Sequence, residues 1–191
     1  MKVVVRSEAG HEEALLGMAL SYYDGSIPVD EWWTHERLLK AMTRASILAS
    51  RDGGHNKFLE SIQVWLLITA PRYWWSQFDT YRPGVTKQSA STMHTLSKRR
   101  PTSEDFDEST PIGSIRAFQQ AWDANRTDIN TLKKSLPEGF LQVRTVCTNY
   151  KSLRHIYQQR KGHRLGAWAE FNAQLLSGLS YPEYIIGVST R

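Results

Sequence analysis

Residues 55–94, HNKFLESIQVWLLITAPRYWWSQFDTYRPGVTKQSASTMH, change character three times along their length. They open behind a glycine turn with a lone histidine, His55. Ile62, Val64, Leu66 and Ile68 then recur at every second position, which sets them on one face of a strand with Gln63, Trp65, Leu67 and Thr69 on the other. Both faces carry apolar bulk, so a strand buried on both sides is expected. Pro71 has no N–H to give to a ladder, but its φ is pre-set for a first helical turn. Ala70-Pro71 therefore marks the change from the strand into a short helix over Arg72–Phe78. Asp79-Thr80-Tyr81-Arg82-Pro83-Gly84 leads out of that helix. From Thr86 to Thr92 hydroxyls and amides follow one another with almost no apolar bulk, a composition that suits a loop holding a polar ligand.

Upstream, Lys2–Arg6 is a short strand candidate. Glu12–Tyr22 is a helix with Ala14, Leu15, Met18 and Tyr22 on one stripe, ended by Gly25 and Pro28. Asp30 is placed to cap a long helix to about Ser50, packed through Trp33, Leu38, Met42, Ile47 and Leu48 and stopped at Arg51-Asp52-Gly53-Gly54. Downstream, Ser97–Gly113 holds charges, hydroxyls and prolines without periodicity and is expected to be a mobile surface loop. Ser114 begins a helix to about Lys134 whose stripe is Ile115, Phe118, Trp122, Ile129 and Leu132, with Lys133-Lys134 complementing the macrodipole. A turn at Leu136–Phe140 leads to a helical or extended piece ending at Cys147. Ser152–Arg160 and Leu165–Leu179 are helices, and Pro182 marks the exit to a tail. Mostly helices with a few strands and no internal repeat make an α+β arrangement.

A chain of 191 residues is long enough for one domain with a sizeable core, and 40% hydrophobic residues with seven Trp argue against disorder. No run approaches the roughly 18 apolar residues of a membrane span, and Met1–Arg6 lacks the apolar core of a signal peptide, so a soluble, cytoplasmic protein is expected. The single cysteine, Cys147, excludes an intramolecular disulfide framework and a cysteine-based metal site, and is expected to be a small buried residue. The formal charge of +5 does not by itself point to nucleic acid. Lys98-Arg99-Arg100 is answered at once by Glu104, Asp105, Asp107 and Glu108, and no helix-turn-helix, zinc-finger or RNA-binding signature is present. Lys151, Arg154, Arg160, Lys161 and Arg164 are less balanced and suit small anions such as phosphates.

Glycine-rich dinucleotide and Walker loops are absent, and so is a His-Glu-x-x-His zinc motif. His155 and His163 stand eight apart across a glycine, a poor metal spacing, and no metal is expected. Ser89 lacks the Gly-x-Ser-x-Gly elbow of a hydrolase nucleophile.

Two blocks of the chain resemble the flavin-dependent thymidylate synthases. In the first, His55 falls on the family's histidine, Glu60 on its glutamate, Ala70-Pro71 on its strand break, Gln77 on its glutamine and Thr80-Tyr81-Arg82 on its Arg-His-Arg triplet, of which only Arg82 is kept. Gln88-Ser89 falls on its loop serine, and Ser91 stands where the family has an arginine. In the second, Asn149-Tyr150-Lys151-Ser152-Leu153, Gln158-Gln159-Arg160 and Ala167-Trp168-Ala169-Glu170-Phe171 are similar to Asn-x-Arg-Ser-Leu, Asn-x-Arg and Ala-Gln-x-Glu-Ile.

The resemblance implies a central antiparallel sheet flanked by helices, a homotetramer, and conversion of dUMP to dTMP with methylenetetrahydrofolate, FAD and NADPH. It places His55, Arg82, Gln158 and Arg160 at the flavin cofactor and Gln77, Lys87, Gln88, Ser89, Arg144 and Lys151 at the nucleotide, with Lys87 or Arg144 standing in for the missing arginine. No enzyme nucleophile is implied, so catalysis would rest on positioning and electrostatics. The alternatives are a flavin-dependent modifier of another pyrimidine deoxynucleotide, and a non-catalytic nucleotide-binding or assembly protein with the same fold. Neither a nucleic-acid nor a membrane partner is expected.

Overall fold

The computed structural model describes residues 1–51 and 54–187. In chain order its elements are β1 (Lys2–Ala9), α1 (His11–Ala19), α2 (Val29–Trp32), α3 (His35–Leu48), β2 (Gln63–Pro71), α4 (Arg72–Phe78), β3 (Thr86–Ser89), α5 (Thr92–Thr95), α6 (Ile112–Asn125), α7 (Ile129–Ser135), β4 (Leu141–Asn149), α8 (Tyr150–Arg160), α9 (Ala167–Gly178) and α10 (Glu183–Ile186). The four strands form one antiparallel sheet in the order β1-β2-β4-β3. The alternating segment is thus an inner strand, with Lys2↔Thr69 on one side and Gln63↔Asn149 through Pro71↔Leu141 on the other. Strand β3 closes the far edge through Thr86↔Cys147 to Ser89↔Arg144.

Helices cover one face of this sheet. Val64, Leu66, Ile68 and Ala70 are fully buried against Leu15 of α1, Ala45 of α3, Leu153 of α8 and an aromatic knot made by α4 and α9. In that knot Trp74 lies 4.9 Å from Phe78, 4.8 Å from Trp168 and 5.2 Å from Phe171, ring centre to ring centre. Such pairs contribute about 0.5–1.5 kcal/mol each beyond the area they bury. The opposite face is only half-covered, contrary to a strand buried on both sides. Trp65, Leu67, Thr69 and Cys147 are partly exposed there, and Val143 is exposed. Alternation records which residues share a face, not what covers that face.

Strand β1 is sewn to the C-terminal region by Glu8, which accepts hydrogen bonds from the Tyr150 hydroxyl and from Ser180 N at 2.9 Å. Burial and the neighbouring Glu8 carboxylate raise the Tyr150 phenol far above its usual range, so it stays protonated and donates.

Several expected elements are divided or replaced. The helix from Asp30 to Ser50 breaks at Trp33-Thr34. Thr34 is extended, and its hydroxyl accepts from Arg37 N to start α3, while Asp30 sits in the first turn of the separate α2. Its proposed stop includes Asp52 and Gly53, which lie outside the described residues. The helix over Glu12–Tyr22 ends at Ala19 and tightens into a 3-10 turn over Leu20–Tyr22. The one from Ser114 to Lys134 begins instead at Ile112, behind Pro111, and breaks before Asp128, whose carboxylate accepts from Asn130 N and Thr131 N at 3.1 and 3.2 Å. Residues 97–113 are tied down rather than loose. Thr102 and Asp105 form a capping box, Phe106 bridges to Phe140, and Gln119 Nε2 donates to Pro101 O at 2.9 Å. Leu96, Phe106, Ile115, Phe118, Trp122, Leu132 and Leu136 form a second, smaller core.

The piece ending at Cys147 is the extended β4, and α8 starts two residues early because Asn149 accepts from Ser152 N at 2.9 Å. Past Pro182 the chain forms α10, with Tyr184 and Ile185 buried. Most relevant to function, the polar loop expected over Thr86–Thr92 is the edge strand β3 followed by α5. Among the described residues no helix is long and apolar enough to cross a membrane.

Candidate functional site

Directly paired residues of antiparallel strands share a face, so the pairs Ile68↔Arg144, Ser89↔Arg144 and Lys87↔Val146 put Arg144, Ser89 and Lys87 on the helix-covered side of the sheet. Gln88, opposite Thr145, points to the other side. Where α4 ends, Asp79 meets the two cations. Arg144 Nη1 donates to both Asp79 oxygens, at 2.9 and 3.0 Å, and Lys87 Nζ lies 3.3 Å from Oδ1. The Arg144 guanidinium stacks on the Trp75 ring at 4.3 Å, and its Nη2 donates to Gln142 Oε1 at 3.1 Å. Lys87 lies 5.4 Å from the centre of the Phe78 ring and also donates to Tyr81 O at 3.0 Å. The cation side chains are each 16% exposed and Asp79 43% exposed. Arg144 Nε is buried without a hydrogen-bond partner. The result is a half-dry cationic cradle on an aromatic floor.

A second network joins the two sequence blocks across α4, α8 and α9. Gln77 Oε1 accepts from Trp168 Nε1 at 2.7 Å and from Arg160 Nη1 at 3.5 Å. Arg160 Nε donates to the Tyr81 hydroxyl at 2.7 Å, which donates onward to Gln159 Oε1 at 3.0 Å. Arg160 also lies over the Trp168 ring at 4.7 Å. Beside this network a cleft of about 470 Å³ is lined by Tyr81, Val85, Lys151, Ser152, His155 and Gln159. Lys151 donates to Asn56 Oδ1 at 2.6 Å and is paired with Glu60 at 3.6 Å, so it links α8 to the segment that follows His55.

His55 itself is exposed. It lines a different and wider cleft of about 990 Å³ between α1, α3 and the following turn, together with Ser21, Tyr22, Lys40, Arg44, Arg51 and Lys57. Arg44 stacks on the Tyr22 ring at 4.2 Å. Arg82 is exposed, with no side-chain hydrogen bond or ion pair among the described residues.

One chain therefore brings Lys87, Ser89 and Arg144 together, and separately Gln77 and Arg160. His55, Arg82 and Gln158 stand apart from both groups. Gln158 lies two residues before Arg160, about 200° around the helix, and reaches Ile186 O at 3.5 Å instead of the network. Asp79, Gln159 and the cationic residues around His55 were not singled out from the sequence. Asp79 lies one residue before the matched triplet, yet its partners come from other strands, so no local spacing reveals them. Trp168, which stands at the glutamine position of the last matched block, is the donor that fixes Gln77. Among the described residues no group of three His, Cys, Asp or Glu side chains is arranged to hold a metal ion.

No family model matches the sequence, and no curated protein sequence does either. Solved structures do match. A flavin-dependent thymidylate synthase, ThyX from Helicobacter pylori, complexed with FAD and dUMP, is similar over 97% of both chains at a TM-score of 0.77 and 13% identity. A second structure of that enzyme with FAD and dUMP gives the same values. PolB from Streptomyces cacaoi, a UMP/dUMP methylase bound with 5-Br dUMP, is similar over 97% of this chain and 94% of its own, at a TM-score of 0.63 and 12% identity. At these identities the likeness is one of architecture, and it spans nearly the whole chain: this protein has the fold of the flavin-dependent thymidylate synthases.

Proposed function

We propose that the chain is a divergent flavin-dependent thymidylate synthase, carrying out reductive methylation of dUMP to dTMP with methylenetetrahydrofolate as carbon donor and NADPH as the source of reducing equivalents. The observation that carries this reading is the likeness over 97% of both chains to an enzyme structure holding FAD and dUMP together. The cradle at Lys87, Ser89 and Arg144 supports it locally, because a nucleotide phosphate needs cations and a hydroxyl donor in a partly dry setting. In this reading Gln77, held by Trp168, presents its amide to the base and Lys151 completes the nucleotide site, while Gln88, on the opposite face of the sheet, would reach a nucleotide only from another copy of the chain.

The residues around His55 fit a dinucleotide. Arg44, Arg51 and Lys57 offer charge for a pyrophosphate, the Ser21 hydroxyl offers a donor, and Tyr22 offers a ring face. FAD, when bound, supplies the hydride. His55 would hold it from one copy of the chain, and Arg82, Gln158 and Arg160 from another, since they stand elsewhere in the same copy. The half-covered sheet face bearing Trp65, Leu67 and Val143 offers an apolar surface for such an assembly, proposed as a homotetramer in the cytoplasm. Gel filtration of protein loaded with FAD tests this. Flavin should co-elute with a mass above that of one chain, and a flavin-free monomer at every salt concentration would remove the basis of the reading.

A further inference from the structure

We propose that Asp79 is an internal counter-anion that a phosphate group must displace from Arg144 and Lys87, and so sets the affinity threshold of the cradle. The inference rests on the reading that this cradle receives the phosphate of the nucleotide. Asp79 spends both oxygens on the two cations, Oδ1 on Lys87 and Arg144 and Oδ2 on Arg144 alone. Trp75 lies under the guanidinium and Gln142 takes Nη2, so the carboxylate occupies the position an incoming anion would need. Its place does not come from its own helix. Asp79 is the C-terminal cap residue of α4, where a negative charge faces the helix's unpaired carbonyls and is disfavoured. The cations hold it there, and at 43% exposure it has open water to turn into once they are taken.

The cradle also holds an unmet demand. Arg144 Nε is buried and unpartnered, and a carboxylate whose two oxygens are already engaged does not satisfy it. A phosphate brings a third terminal oxygen and a second negative charge. Displacing Asp79 subtracts the same free energy from every phosphate ligand, so bare phosphate is left weak. A nucleotide makes up the loss through its sugar and base. Asp79 thus sets a threshold that the whole nucleotide passes and free phosphate does not.

Calorimetric titration of inorganic phosphate, dUMP and deoxyuridine into wild type and Asp79→Asn tests it, with Asp79→Ser as a second variant if the first does not fold. Both phosphate ligands should bind at least about tenfold more tightly to the variant, and by the same factor, while deoxyuridine is unchanged. Unchanged or weaker phosphate and dUMP binding, or an equal gain for deoxyuridine, would overturn the proposal. If dUMP binds no better than inorganic phosphate in either protein, the pyrimidine-nucleotide reading fails, yet a tenfold gain of phosphate in the variant still supports the role of Asp79.

Discussion

The Arg144 cradle and the His55 cleft both offer positive charge, but the first has a carboxylate set between its cations and the second has none among its described lining residues. In the cradle, Lys87 and Arg144 share one carboxylate, lie against Phe78 and Trp75, and are mostly shielded from water. Around His55, Arg44 leans on Tyr22, Lys40 pairs with Glu36 four residues away on the open surface of α3, and no acidic residue lines the cleft among the described residues. Shielded charges are fixed in direction and screened little by salt; open ones are mobile and screened strongly. The cradle's cations are therefore held in one arrangement by Asp79, whereas no lining carboxylate holds those of the cleft among the described residues.

The largest effect that would sharpen this contrast is at Arg144. Arg144→Glu should weaken dUMP binding by about 3 kcal/mol, roughly a hundredfold, because a shielded contact is lost and a like charge put in its place. Arg99→Glu, in the exposed mixed-charge segment, should change it less than about twofold. Comparable losses from the two would mean that the cradle has no privileged role. A smaller effect is expected in the cleft. The double variant Arg44→Glu with Lys57→Glu should lower FAD affinity about tenfold in low salt, with the difference fading as salt is raised, and leave dUMP affinity unchanged. A loss that persists at high salt, or one that appears in dUMP binding, would show that the two regions are not separate.

Legibility in the sequence follows the same division between local and distant causes. Strand β2 and helix α4 were readable because alternation and Pro71 are local signals, and α4 spans the expected Arg72–Phe78. Strand β3 was not, since Thr86-Lys87-Gln88-Ser89 is polar on both faces and owes its extension to pairing with β4. The breaks at Thr34 and Asp128 were hidden because apolar stripes run on across them, while a single cap side chain starts a new helix. Residues 97–113 looked loose because their anchor, Phe106, is one apolar residue whose partners lie in α6 and beside Phe140. At the site, a matched motif points to Ser89, and the arginine missing from it points to Lys87 and Arg144 as substitutes, but the contacts of Asp79 and Trp168 emerge only when strands and helices distant in sequence are brought together.

If this fold recognises a pyrimidine deoxynucleotide by its phosphate, calorimetric titration of dUMP and of deoxyuridine into FAD-loaded protein separates the two ligands. The nucleotide should bind at least about tenfold more tightly than the nucleoside, from two charge-assisted contacts of roughly 1.5–3 kcal/mol each less the roughly tenfold cost of displacing Asp79. Equal affinity for the two, or no binding of either with FAD present, would contradict it.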